Sequence, residues 1–205
     1  MKKFVTKNIM NYIEKNTDYN KIKLKEIEYG IVSIYLTFSK IIIILILSLI
    51  LGIFKEVIIF MILFNILRTT GFGLHATKSW ICLLSSTLIF IGVPLLSIYI
   101  KLNLYIKILI GIIGIAFMFK NAPADTKKRP IVNKRRRFIF KISSTILAII
   151  FTISAIIINN NFLSNCFIFA LIVENILIAP FTYKLFKLPY NNYITFLKKH
   201  PDFNQ

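Results

Sequence analysis

The chain has 205 residues, 57% of them hydrophobic, with 26 Lys and Arg against 8 Asp and Glu, and its mean hydropathy is +0.73. That apolar content is above the range of soluble domains, and it is gathered into runs: 41–54, 83–100 and 142–158 hold no charged residue. Continuous apolarity excludes alternating transmembrane strands, two cysteines exclude a disulfide framework, and basic residues placed mainly between the runs point to membrane topology rather than nucleic acid.

Residues 1–28 carry seven lysines and four acids, with Phe4, Ile9, Met10 and Ile13 near helical spacing. They predict a cytosolic, amphipathic helix lying on the membrane surface. The segment lacks the apolar stretch of a signal peptide, so the first span serves as its own insertion signal. Residues 29–183 predict one transmembrane helical domain, an all-α polytopic bundle of about six spans near 31–53, 57–73, 82–100, 103–119, 139–158 and 163–182. The second is the weakest, because it is short and ends in a polar, glycine-bearing stretch. Residues 184–205 form a C-terminal tail.

The connections alternate in charge. The N-terminal segment has seven basic residues, the first connection only Lys55, the second Arg68 and Lys78, and the third only Lys101. The fourth, 120–141, has nine, the fifth none, and the C-terminal tail four. The positive-inside rule then places both termini and the second and fourth connections in the cytosol, which requires an even number of spans. Membrane lipids are the first partner this pattern implies.

The stretch 68–82 holds the chain's best chemical pair, His75 and Cys82. Thiol-based acyl transfer needs a thiolate and an imidazole that takes and returns its proton. On one continuous helix, positions seven apart are separated by about 10.5 Å along the axis, beyond hydrogen-bond reach. A catalytic pair therefore requires the helix to break between them. Gly71 and Gly73 permit a break just before His75. The expectation is a loop through about residue 77, Ser79 capping the third span, and Cys82 at its third helical position, where the helix dipole favours a thiolate. A small buried hydrophobe is the other ordinary use of such a cysteine. Arg68 alone reads as a boundary anchor, and Cys166, deep in the last span, as packing. No metal-ligand spacing, phosphate-binding loop or serine triad appears, and no cofactor is implied.

Glu174, inside the last span, is costly in lipid and needs a partner within the bundle. Lys40 and Lys107 are candidates. Pro180 should bend or end that span. In the fourth connection Pro123 and Pro130 enforce an extended path. Its basic cluster, which includes Lys127, Lys128 and Arg129, suits anionic lipid or an acidic peptide segment.

Three features together resemble the AgrB family, membrane peptidases that process AgrD-type quorum-sensing propeptides in Gram-positive bacteria. The first is Arg68, then Gly73, Leu74, His75 and Ala76, then Cys82, with Ser86 and Pro94 downstream. The second is the run from Ala122 to Pro130 with its basic continuation. The third is Glu174 six residues before Pro180. The resemblance covers nearly the whole chain. It implies that His75 and Cys82 are catalytic and that Arg68 and Gly73 are the family's conserved arginine and glycine here. It further implies a cell-membrane enzyme that removes the propeptide's acidic tail on the cytosolic side. Cys82 would keep the peptide as a thioester until the peptide's own thiol or hydroxyl closes a ring. A homodimer is also implied. One departure is visible, since Phe72 separates Gly71 from Gly73 and leaves the role of Gly71 open.

Lys127, Lys128, Arg129 and Arg68 are the residues suited to hold the tail's carboxylates. Asn65, Ser85 and Ser86 are candidates to orient His75. The competing class is a small transporter or exporter without peptidase activity, its pathway lined by Lys40, Lys107 and Glu174.

Overall fold

The computed structural model describes residues 2–17, 19–74, 79–126 and 130–199. The described residues form α-helices and no named strand, in the order α1 (Lys2–Asn16), α2 (Lys21–Ile50), α3 (Phe54–Gly71), α4 (Ser79–Thr87), α5 (Val93–Tyr99), α6 (Leu104–Asn121), α7 (Lys134–Ile157), α8 (Asn161–Ile178), α9 (Pro180–Leu185) and α10 (Asn192–Lys199). This is the all-α membrane bundle that the apolar runs predict. Five segments are long and apolar enough to cross a membrane: Ile22–Ile50, Ser79–Tyr99, Leu104–Asn121, Lys134–Ile157 and Asn161–Ile178.

The predicted second span is α3. It equals α6 and α8 in length at 18 residues, but carries Lys55, Glu56 and Arg68. Val57, Phe60, Phe64, Leu67 and Gly71 make a buried stripe at helical spacing along its whole length. The stripe faces α7 and α8.

Asparagine starts four of the helices. The side chains of Asn20, Asn103, Asn133 and Asn160 accept from the N–H groups of Lys23, Ile106, Arg136 and Leu163 at 2.8–3.0 Å, satisfying donors that a helix start leaves open. These caps explain why α2 and α7 begin at Lys21 and Lys134, well before their apolar runs. The run marks what faces lipid, while the cap marks where the helix starts. Lys and Arg are good helix formers and fill the interval. In the third span the helix widens into a π turn, Leu88–Gly92, directly before Pro94, which has no N–H to give and a ring that crowds the preceding turn.

The chain divides into two units, Met1–Leu51 and Gly52–Gln205. In the first, α1 packs on α2, and Thr6 and Met10 are buried. In the second, α8 is the central helix and touches α3, α5, α6, α7 and α9. It is 44% buried over its span, against 28% for α7 and 22% for α6. Gly111 and Gly114 let α6 close on Thr152 of α7 and Leu171 of α8. α8 ends at Ile178, and Pro180 opens α9 as its first residue, the break that proline predicts.

Candidate functional site

The chain leaves α3 through two residues with positive φ, Phe72 at 61° and Gly73 at 86°. A bulky residue there is strained. Phe72 is held by an edge-on contact with the Phe140 ring, 4.9 Å between centroids. The turn sends residues 71–74 along the connection that follows α6. The Gly73 N–H donates to the Ala124 carbonyl at 2.9 Å, and the Ala124 N–H to the Gly71 carbonyl at 3.0 Å. The Leu74 N–H donates to the Leu177 carbonyl near the end of α8, at 3.0 Å. Gly73 is required twice over: its φ suits glycine, and a side chain there would stand 2.6 Å from Arg68 Nη1 and 2.9 Å from the Leu177 carbonyl oxygen. These bonds bring the second and fourth connections to one end of the bundle, the shared face that charge counting expects.

Arg68, one turn before the end of α3, reaches two groups. Nη2 donates to the Leu74 carbonyl at 2.6 Å, and Nη1 pairs with Glu174 Oε2 at 3.5 Å. Glu174 is fully buried, and its Oε1 occupies the space that a Gly71 side chain would take. This corrects two expectations. Glu174 pairs with Arg68, not with Lys107, and Arg68 is more than a boundary anchor. It also gives Gly71 a role, since only a residue without a side chain leaves room for the carboxylate. Lys107 instead donates to Ser164 Oγ at 2.6 Å. Ser164 lies ten residues before Glu174 on α8, roughly 15 Å away along the helix axis. Beside it, Asn165 Nδ2 donates to the Ser97 and Ile100 carbonyls, and Ser164 to that of Ala155.

His75 lies outside the described residues. The described chain reaches Leu74 and resumes at Ser79, the first residue of α4. Ser79 is thus inside the helix rather than its cap, and Cys82 stands three residues after it on α4. Cys82 is half-buried, while Trp80 beside it is exposed. Two candidate orienting groups are engaged within their own helices: Asn65 Nδ2 donates to the Met61 carbonyl and Ser85 Oγ to that of Cys82. Cys166 is fully buried in the core.

Sequence reasoning passed over Asp125. It is 2% exposed in a connection dominated by basic residues. Its Oδ1 accepts from the Asn192 N–H at 2.9 Å, and its Oδ2 from the N–H groups of Tyr193 at 2.8 Å and Ile131 at 3.4 Å. Arg137 Nη1 lies 3.6 Å from Oδ2, and its guanidinium stacks 3.5 Å from the centre of the Tyr193 ring. Asp125 is thus a cap supplied to α10 from a distant connection, and it also accepts from Ile131, just before α7. Tyr183 donates to the Ala124 and Asp125 carbonyls, and burial pushes its hydroxyl well above the ordinary tyrosine range, keeping it a neutral donor. Tyr190 donates to the Asn121 carbonyl. The C-terminal segment is therefore docked on the fourth connection through residues 183–193. An acidic residue between two prolines in a basic loop was the available signal. Lys127, Lys128 and Arg129 lie outside the described residues.

A family model described as Accessory gene regulator B matches residues 6–178. The chain is 31% identical over 184 residues to a putative AgrB-like protein of Clostridium acetobutylicum, covering 90% of this chain and 88% of that one. It is 32% identical over 142 residues to accessory gene regulator protein B of Staphylococcus aureus, covering 68% of this chain and 76% of that one. A putative AgrB-like protein 2 of Clostridium perfringens is 32% identical over 140 residues, 65% of each chain. No solved structure matches. With the match running from α1 to the end of α8, the chain belongs to the accessory gene regulator B family.

Proposed function

We propose that the chain is a thiol endopeptidase of the cell membrane that removes the acidic tail of an AgrD-type propeptide and carries the remainder as a thioester on Cys82. The observation that carries this reading is the fixed path into the His75 segment. Residues 71–74 are bonded to α8, to Arg68 and to the fourth connection, and His75 follows them directly in the chain. In this reading α3 crosses as a sixth span and the termini are cytosolic.

The chemistry follows from the residue types. His75 takes the Cys82 proton, and the thiolate attacks the carbonyl at the cleavage point. The tetrahedral intermediate collapses, the C–N bond breaks, and the tail's amine leaves with the proton returned by His75. The thioester then passes its acyl group to a thiol or hydroxyl of the propeptide, which regenerates Cys82. A thioester at the membrane boundary is shielded from hydrolysis. The basic fourth connection, with Lys127, Lys128 and Arg129, supplies the positive charge that receives the acidic tail. The bonds of Ala124 to Gly71 and Gly73 support this pairing of the fourth connection with the segment that leads to His75. A homodimer is part of the same proposal.

The test is co-expression with the chain's own propeptide, followed by mass spectrometry for the released tail. Wild type releases the tail and gives a hydroxylamine-sensitive adduct on Cys82. His75→Ala and Cys82→Ala insert normally and release none. Unchanged release by Cys82→Ala ends the reading.

A further inference from the structure

We propose that Glu174 is a positioning residue for His75: its carboxylate holds the Arg68 guanidinium, and the guanidinium's other nitrogen holds the Leu74 carbonyl, the acceptor of the peptide unit that leads into His75. The inference rests on the His75–Cys82 reading above and adds a residue from the last span to it.

The contacts form a chain with no spare link. Glu174 is fully buried on the central helix, so its place is set by the core of the bundle. Gly71 leaves the space its Oε1 fills. Oε2 faces Arg68 Nη1 at 3.5 Å, and Arg68 Nη2 donates to Leu74 at 2.6 Å. The Leu74 N–H is held by the Leu177 carbonyl, three residues on from Glu174 along α8. Both hydrogen-bonding groups of Leu74 are thus engaged, one directly and one indirectly, by the same turn of α8. A peptide unit is planar, so fixing its carbonyl fixes the direction in which the chain continues to the next residue. The arginine fork suits this work because it reaches two acceptors at once, which a lysine cannot do in the same geometry. A buried carboxylate with one oxygen on the arginine and the other against a glycine has no substrate to touch. It acts through Arg68.

The experiment uses the full chain in detergent micelles with Cys166→Ala, which leaves Cys82 as the single thiol. Iodoacetamide alkylation of Cys82 is followed by mass spectrometry across pH, beside steady-state tail release. His75→Ala should move the alkylation profile to higher pH, since the thiolate loses its imidazole partner. Glu174→Gln, which keeps the shape and removes the charge, should move it the same way and slow alkylation near neutral pH by about tenfold. It should lower kcat with KM within about twofold. Glu174→Asp should recover part of both. Arg68→Lys keeps the buried charge balance and carries the same expectation should the glutamine variant fail to insert. Lys107→Met, on α6 beside Ser164 at the far end of α8, should leave the profile unchanged. A wild-type profile and kcat in both Glu174→Gln and Arg68→Lys, with His75→Ala shifted, overturns the inference alone. A raised KM at constant kcat also overturns it, because the pair would then hold substrate. A profile indifferent to His75→Ala removes the dyad reading and this inference together.

Discussion

The two ends of the Gly52–Gln205 unit both bury polar groups, and they use them differently. Around Ser97, Lys107, Ser164 and Asn165, the partners are hydroxyls and carbonyls of the helices and of the α5 end. These contacts tie one span to the next. At the other end Arg68, Glu174, Asp125 and Arg137 tie spans to connections, namely 71–74, 122–131 and 189–193. Contacts of the first kind hold a bundle together. Contacts of the second kind place loops, and loops are where reactive groups can meet a substrate. In the proposed reading, the difference separates the stabilising end of this unit from the end that carries the chemistry.

The largest effect that would sharpen this contrast comes from removing one cation at each end. Arg68→Met leaves the Glu174 carboxylate buried without its partner and frees the Leu74 carbonyl. The expected loss is roughly 3–5 kcal/mol. Lys107→Met removes a buried ammonium whose described partner is a hydroxyl, and that hydroxyl keeps its bond to Ala155. An apolar side chain of similar length should change stability by less than about 1 kcal/mol. Unfolding in mixed micelles compares them directly. Equal losses would break the contrast.

What could be read from the sequence follows the same division. The spans were legible because lipid demands long uninterrupted apolar runs. The shared face of the basic connections was legible because topology is written in Lys and Arg counts. Glu174 was legible as a residue needing a partner, because a carboxylate within a span always does. Its partner was not. Arg68 is 106 residues away in sequence, and only the tertiary arrangement of α3 against α8 selects it over Lys107. Asp125 was invisible for a related reason. Its ligands are backbone N–H groups of Asn192 and Tyr193, and backbone groups carry no sequence signature. The asparagine caps are readable signals too, and they start α2 and α7 ahead of the apolar runs that mark the spans. Gly71 gained its meaning only once Glu174 was seen beside it.

A smaller effect tests whether the Arg68 end organises its connections. Asp125→Ala removes the acceptor for the first two N–H groups of α10 and leaves Arg137 without its carboxylate. The loss should be roughly 2–3 kcal/mol. It should appear locally, as faster amide exchange over residues 189–199 and 130–133, more than in the global transition. Asn160→Ala removes the cap of α8 at the opposite end and should cost about 1 kcal/mol, spread through the bundle because α8 is its centre. If Asp125→Ala leaves exchange in the C-terminal segment unchanged, that segment is not held by the fourth connection.

The finest test sets two glycines against each other. An alanine at Gly111 meets Thr152, and one at Gly71 meets Glu174; both contacts are too close for a real side chain. Overpacking of this kind costs about 1–3 kcal/mol. At Gly111, mid-helix, alanine also returns about 1 kcal/mol of helix propensity, and the group displaced is a threonine whose hydroxyl is bonded within its own helix. At Gly71, the last residue of α3, the group displaced is a buried carboxylate whose ion pair is already long at 3.5 Å. A shift of a few tenths of an ångström there is passed to Arg68 and so to Leu74. The expected outcome is about 1 kcal/mol lost at either position, with tail release per inserted molecule kept in Gly111→Ala and reduced about tenfold in Gly71→Ala. Stability and activity falling together in both would mean that the glycines serve close packing alone. Activity falling alone at Gly71 would show that the space beside Glu174 is kept for the chain that follows it.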